Sequence, residues 1–273
     1  MAIGRILRRA KAKEKIVDYS AVNSISESFC SYEEGKPFTP ETLYMRASGF
    51  GWMCGREEAL CSKHNHIRKG SIDSKLGITF QIGHSLHDMV QNKLGNELLG
   101  HWKCVSCNHM HGKDDELLKM PKVCEKCEND KFEYSEIYVY NEEYQIGGHP
   151  DGILDTSPDK SLFELKTIND NGFTSLSFNG PREGYLMQVN LYMWMLGLKK
   201  CYLVYLNKNT SEMKEFVLSP DEDMLSKAKL KARELIDALD NGTVPERTVC
   251  NKKSDFRAKS CSMAKLCFDG GAV

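Results

Sequence analysis

The residues of this chain that carry the most chemistry lie near one another. Pro150-Asp151-Gly152 is followed, across the turn Thr156-Ser157-Pro158-Asp159, by Phe163-Glu164-Leu165-Lys166. Side chains alternate along a strand, so Glu164 and Lys166 share one face while Phe163 and Leu165 take the other. Two carboxylates, Asp151 on one strand and Glu164 on the next, make a hard, oxygen-rich site that suits Mg²⁺ or Mn²⁺, and a lysine beside them can orient water or help to deprotonate it. The reaction such a set performs is metal-assisted phosphodiester hydrolysis. The same residue types also occur as a plain exposed ion pair, so their surroundings decide the reading. Pro150 would cost a ladder hydrogen bond in mid-strand, and Gly147, Gly148 and Gly152 flank it, which predicts a bend or an edge beside the first carboxylate.

Cysteines are the second feature. There are 11 in 273 residues, clustered and without a secretory leader, a pattern that points to metals in a reducing compartment. Cys104-Val-Ser-Cys107 and Cys124-Glu-Lys-Cys127 are two knuckles with zinc-ribbon spacing, and their four thiolates suit tetrahedral Zn²⁺. Such a closed site is a staple for a segment with too few apolar residues to fold alone. Lys103, His109, His111 and Lys113 around it leave open a finger that guides DNA or binds a partner. A second group is formed by Cys250, Cys261 and Cys267 near the end of the chain and Cys54 far upstream.

The elements that must position these residues follow from periodicity. Ile82, Leu86, Met89, Val90 and Leu94 recur with helical spacing in a helix expected from Thr79 to Leu98, with Gly95 near its end. Residues 132–140 and 144–154 are expected as strands joined by Asn141-Glu142-Glu143, and 161–167 as a third strand. A helix from about Glu183 to Leu198 carries the stripe Val189, Met193 and Leu196, with Gln188 and Tyr192 one turn apart on a face beside it. Strands at 201–206 and 214–218 precede a last helix from about Asp221 to Leu239, opened by Ser219-Pro220 and closed by Asn241-Gly242.

Asp151 and Glu164-x-Lys166 on consecutive strands resemble the PD-(D/E)xK nuclease superfamily. Gly83-His84-Ser85-Leu86-His87 is similar to the GxxxH of its RecB-like branch, and Gln188-Val-Asn-Leu-Tyr192 to that branch's QxxxY. The branch includes AddB-type recombination nucleases and the CRISPR-adaptation exonucleases. The resemblance implies an α/β fold with a restriction-endonuclease-like core, a mixed central sheet flanked by helices, here carrying a zinc-ribbon insertion. It implies a divalent-metal-dependent deoxyribonuclease, an exonuclease, that hydrolyses DNA with Mg²⁺ or Mn²⁺ held by His87, Asp151, Glu164 and the backbone carbonyl of Leu165. His84 competes with His87 for that role; Gly83, one turn earlier, is expected to clear room over the His87 imidazole, and a nitrogen donor would tilt preference toward Mn²⁺. Lys166 would serve catalysis, and Gln188 and Tyr192 would position the scissile phosphate or the metal's neighbours.

The same resemblance extends to the second cysteine group, since iron-sulfur members of the branch carry one cysteine before the nuclease core and three after it. Ser48-x5-Cys54-Gly55-Arg56 favours Cys54 over Cys61 as the leading ligand. Cys54, Cys250, Cys261 and Cys267 would then hold a [4Fe–4S] cluster that clasps the chain ends. The family's trailing cysteines begin as CxxC, whereas here Ala258 stands where one of them is expected; zinc in the same thiolates, or free buried cysteines, remain open. The implied organisation is a basic N-terminal arm over 1–40 and a nuclease domain over 41–273, with the insertion at 101–130 and the clasp at 245–273.

Bulk properties exclude little of this. Lys+Arg number 37 against 38 Asp+Glu, so any affinity for DNA must come from local patches such as the Arg5–Lys15 arm, expected as a short basic helix, or the lysines and arginines after Arg247. No apolar run approaches the roughly 18 residues of a membrane span, which predicts a cytoplasmic protein of a bacterium or a phage-infected host with no membrane partner. No GxxxxGK[ST] motif is present, so movement along DNA would need a helicase or another recombination or replication partner. A non-catalytic DNA-binding or scaffolding subunit, and a CRISPR spacer-processing nuclease, are the competing readings.

Overall fold

The computed structural model describes residues 20–112, 116–156 and 158–269. The basic helix expected near the N-terminus lies outside them. The chain builds a mixed α/β structure around a five-stranded sheet, in the order Met213–Leu218, Cys201–Asn207, Asp159–Ile168, Gly152–Thr156, Leu98–Leu99. Gly152–Thr156 and Asp159–Ile168 form an antiparallel hairpin, whereas Asp159–Ile168 runs parallel to Cys201–Asn207. A parallel pair needs a crossover, and the helices Asp170–Asn179 and Glu183–Leu196 supply it.

One face of the sheet is covered by Glu183–Leu196 and, behind it, Glu222–Asp240. Val189, Leu191 and Met193 pack with Leu162, Leu203 and Tyr205 of the sheet and Leu225, Ala232 and Leu235 of the last helix. Residues 188–193 are all buried, so Gln188 and Tyr192 do not lie beside an apolar stripe as expected; this helix is sandwiched between two layers and has little outer face. The last helix matches expectation, with Asp221 capping the Met224 N–H.

On the other face lies Ser74–Leu94, which begins earlier than its periodicity predicts because the Asp73 side chain caps the Leu76 N–H. Leu86, Val90 and Leu94 pack with Trp102, Phe163, Leu165 and Leu206. Ile82 and Met89, the rest of the expected stripe, are exposed.

The two long strands expected over 132–140 and 144–154 are each broken. Phe132–Ser135 pairs with His101–Cys104 in a small sheet that also holds Met110–His111, so the cysteine-bearing sheet extends beyond residue 130. Val139–Asn141 pairs with Ile146–Gly148, which also runs parallel to Met45–Arg46. The chain then crosses into the main sheet at Gly152. The crossing falls at His149-Pro150-Asp151 because Pro150 has no N–H with which to continue a ladder. No helix among the described residues is long and apolar enough to cross a membrane.

Candidate functional site

Asp151 sits at this crossing, and its position follows from where the strand pairing stops. The hairpin register ends at Gly152 opposite Phe163, so the Leu165 N–H has no ladder partner on that side. It donates instead to Asp151 Oδ2 at 2.6 Å. Asp151 Oδ1 lies 3.2 Å from His87 Nδ1, and the Asp151 carbonyl accepts from Gln91 Nε2 at 2.7 Å. His87 and Gln91, one turn apart, thus fasten the Ser74–Leu94 helix to the carboxylate.

Glu164 and Lys166 do share a face, with Phe163 and Leu165 packed on the other side. Glu164 is only 1% exposed. Its Oε1 accepts from Lys166 Nζ at 2.5 Å and from Gln188 Nε2 at 2.7 Å, while its Oε2 and the Gln188 Oε1 have no partner. A buried carboxylate oxygen without a donor is costly unless a cation or water completes it. Glu164 Oε2 is therefore an acceptor that a cation or a water would complete.

Tyr192 turns toward the crossing segment, where its hydroxyl donates to the His149 carbonyl at 3.1 Å. A Cβ at Gly148 would lie 2.6 Å from that hydroxyl, so this glycine is required for the tyrosine to reach its partner. Gly83 differs from expectation. A Cβ there would meet only Thr167 Oγ1 at 3.6 Å, an ordinary contact, so the glycine is not clearing space over the imidazole. His84 also lines the cleft, but His87 alone of the two contacts a carboxylate.

The electrostatics are those of a crowded acidic pocket. Burial raises the Glu164 pKa, the Asp151 charge raises it further, and Lys166 only partly offsets them. Burial alone would lower the Lys166 and His87 pKa values, but Glu164 and Asp151 outweigh it for the lysine and Asp151 for the histidine, so both go up. Glu136 was not singled out from the sequence. It lines the same cleft of about 810 Å³, accepts from Gln91 Nε2 at 2.9 Å, and is pushed up in pKa by burial and then by Asp151. Its only sequence signal is an acidic residue between the cysteine segment and Pro150-Asp151.

The first cysteine group is gathered. Cys104 and Cys127 sulfurs are 3.5 Å apart, Cys107 and Cys124 sulfurs 3.6 Å, and all four lie within 4.8 Å of one another. The two knuckles are alike: the Asn108 N–H returns to the Cys104 carbonyl and the Glu128 N–H to the Cys124 carbonyl, each closing through a left-handed residue. Burial opposes ionisation of Cys104, but N–H groups of Cys107 and Ser106 outweigh it and hold the thiol at about 6.

The second group is looser. Cys54, Cys250, Cys261 and Cys267 line one small cavity, with Ala258 in its wall and Arg56 Nε donating to Cys267 Sγ at 3.2 Å. They do not gather within 4.8 Å as the first four do. Tetrahedral zinc at about 2.3 Å would hold thiolates about 3.8 Å apart, so this spacing is wider than a single ion sets. Cys61 lies outside that cavity lining, buried with Leu60 and Met263.

No protein-family model and no curated protein sequence matches the chain. Solved structures similar to it include SSO0001, 14% identical over 83% of this chain and 86% of that one, with a TM-score of 0.44. They also include an alkaline exonuclease, LHK-Exo, from Laribacter hongkongensis, 14% identical over 72% of this chain and 88% of that one, with a TM-score of 0.43. The same exonuclease in complex with dAMP matches with the same identity and coverage and a TM-score of 0.42.

Proposed function

We propose that this protein is a divalent-metal-dependent DNA exonuclease of the PD-(D/E)xK type, on a restriction-endonuclease-like core. The observation that carries the reading is the buried Glu164 Oε2, left without a donor in the cleft that Asp151 also lines, while Lys166 and Gln188 both occupy Oε1. Asp151, Glu164 and His87 would hold Mg²⁺ or Mn²⁺. The Leu165 carbonyl would join them, since N–H and C=O of one residue leave an extended strand on the same side and its N–H already faces Asp151. The ion would supply charge neutralisation at the phosphodiester and lower the pKa of a water.

The chain's own groups do the rest. Lys166, hydrogen-bonded to Glu164, would act as a donor and positive charge toward the phosphate or the incoming water. Gln188 holds Glu164 in place, and Tyr192 holds the segment that carries Asp151. Zinc in Cys104, Cys107, Cys124 and Cys127 would be structural, and a [4Fe–4S] cluster in Cys54, Cys250, Cys261 and Cys267 would clasp the chain ends. End-labelled single- and double-stranded DNA incubated with Mg²⁺, Mn²⁺ or EDTA tests the reading. Stepwise shortening with either ion and none in EDTA is expected; no cleavage under any condition would return the chain to a scaffolding role.

A further inference from the structure

The carboxylates have exposed aromatic neighbours that hydrolysis itself does not use. Tyr138 and Tyr140 stand with nearly parallel rings, 13° apart and with centroids separated by 6.2 Å. Tyr44 leans on both, and Tyr138 is also 5.2 Å from the ring of His149, just before Pro150-Asp151. Tyr138 keeps 51% of its surface in water while lining the cleft of Asp151 and Glu164.

Tyr44 and Arg46 also line a second groove of about 510 Å³, so the two cavities adjoin at these side chains. Its wall carries Trp52, 40% exposed, and Arg257. Glu57 and Glu58 in that groove face Arg68, at 4.0 and 2.6 Å, whereas Arg46 and Arg257 form no ion pair among the described residues. The molecule as a whole is almost neutral, so two unpaired arginines and a run of exposed rings leading from a carboxylate cleft mark a track.

We propose that this track binds unpaired DNA: bases next to the cleaved phosphate stack on Tyr138 and, further along, on Trp52, with Arg46 and Arg257 against the backbone. Aromatic faces take bases whose own faces are free, which a duplex does not offer, and arginine contacts to phosphate are indifferent to sequence. The inference rests on the nuclease reading and adds to it the strandedness of the substrate and its path.

The test uses the full chain with Ca²⁺ in place of a catalytic ion and oligothymidylate as the probe. Trp52 is the exposed one of 3 tryptophans, Trp102 being fully buried and Trp194 half-buried, so binding is expected to quench tryptophan emission. Tyr138→Ala should weaken binding about tenfold and Tyr138→Trp should restore it. Arg46→Gln should flatten the salt dependence, and a blunt duplex should neither quench nor respond to Tyr138→Ala. Unchanged strand binding by Tyr138→Ala, or a duplex that binds as tightly and loses as much, overturns the proposal. Cleavage by the wild-type chain with Mn²⁺ separates the two failures. Without it the nuclease reading falls and takes this inference along; with it, unchanged Tyr138→Ala binding removes the inference alone.

Discussion

The carboxylate cleft and the cysteine knuckles are the two sites proposed to hold a cation, and they are assembled in opposite ways: the knuckles gather their ligand atoms within 4.8 Å and the cleft does not. The knuckles draw all four sulfurs from one short segment, and each is closed by its own backbone turn. The cleft draws His87 from a helix, Asp151 from a crossing between sheets, Glu164 from a central strand and Gln188 from a buried helix, and the packed core sets their distances. A ligand lost from the knuckles should therefore damage local folding, while one lost from the cleft should damage chemistry. In the cleft it should even relieve the fold, since a buried carboxylate with an orphaned oxygen is a cost the core bears.

The strongest way to break this contrast is Glu164→Gln. We expect cleavage to fall by about 10³-fold or more, because charge neutralisation by the ion is worth several kcal/mol. The melting temperature of the EDTA-treated variant should equal or exceed that of the wild type. Residual activity within tenfold, or a clear loss of stability, would remove Glu164 from the proposed mechanism. Asp151 offers a harder case, because its Oδ2 also holds the Leu165 N–H, so Asp151→Asn should lose activity and some stability together.

Cys124→Ser probes the other half. Its sulfur is buried beside Cys107, and the segment around it has few apolar residues of its own, so loss of bound zinc and a melting shift of several degrees are expected, with turnover per folded molecule little changed. Metal analysis of the replete protein checks it, and a wild-type chain without zinc would sink the assignment. The looser clasp should respond differently. Cys261→Ser should remove iron and visible absorbance from anaerobically purified protein, whereas Cys30→Ser, at an exposed thiol, should not. Stoichiometric zinc in place of iron would keep the clasp and discard the cluster.

How much of this was legible in the sequence follows the same divide. The knuckles are local, so their spacing alone predicts the gathered sulfurs. Glu164 and Lys166 could be placed on one face because strand alternation is also local. The relation of His87 to Asp151 is not local, and a motif was needed to connect them. Glu136 escaped because nothing near it in sequence distinguishes an acid beside Gln91 from one in solvent. The broken strands escaped for a related reason: FEYSEIYVY has a continuous β pattern, and only tertiary pairing decides that Phe132–Ser135 joins the cysteine sheet while Val139–Asn141 turns back on Ile146–Gly148. Gln188 and Tyr192 were correctly put on one helix, but a stripe argument presumes a solvent face that this buried helix lacks.

A pH series on metal-free protein sharpens the comparison further. The folded-state pKa of Glu164 is raised above its ordinary 4.5, so its contribution to stability is fully present below that value and is lost as pH rises through the folded pKa. His87, raised above 6.5, has the same sign. Metal-free wild type should therefore lose stability relative to Glu164→Gln between about pH 5 and about pH 8, and Mn²⁺ should reverse the loss by favouring the ionised carboxylate. The knuckles should not share this profile, so Cys124→Ser should show the same slope as wild type. Metal-free melting curves for the three proteins across that range measure it, and a wild type that gains stability on Glu164→Gln equally at every pH would contradict the assignment.

The smallest expected effect tests how the core, rather than any ligand, holds the cleft together. Tyr192→Phe removes one hydrogen bond to the His149 carbonyl and should cost about 1 kcal/mol of stability, with a rate loss below tenfold if the tyrosine acts by holding the segment that leads to Asp151. Gly148→Ala should be worse than its size suggests, because its new Cβ would lie 2.6 Å from the Tyr192 hydroxyl and must push either the ring or the segment leading to Asp151 out of place. The next nearest ring atoms are 3.3 Å away, a distance that small shifts can absorb, so deleting the hydroxyl removes most of the clash. The double variant Gly148→Ala/Tyr192→Phe should then lose less activity and less stability than the sum of the singles, with a coupling of about 1 kcal/mol. Thermal melts and single-turnover rates of the four proteins close the cycle. Strict additivity would mean that Tyr192 and Gly148 do not constrain the Asp151 segment through each other, and the crossing at Pro150 would need another anchor.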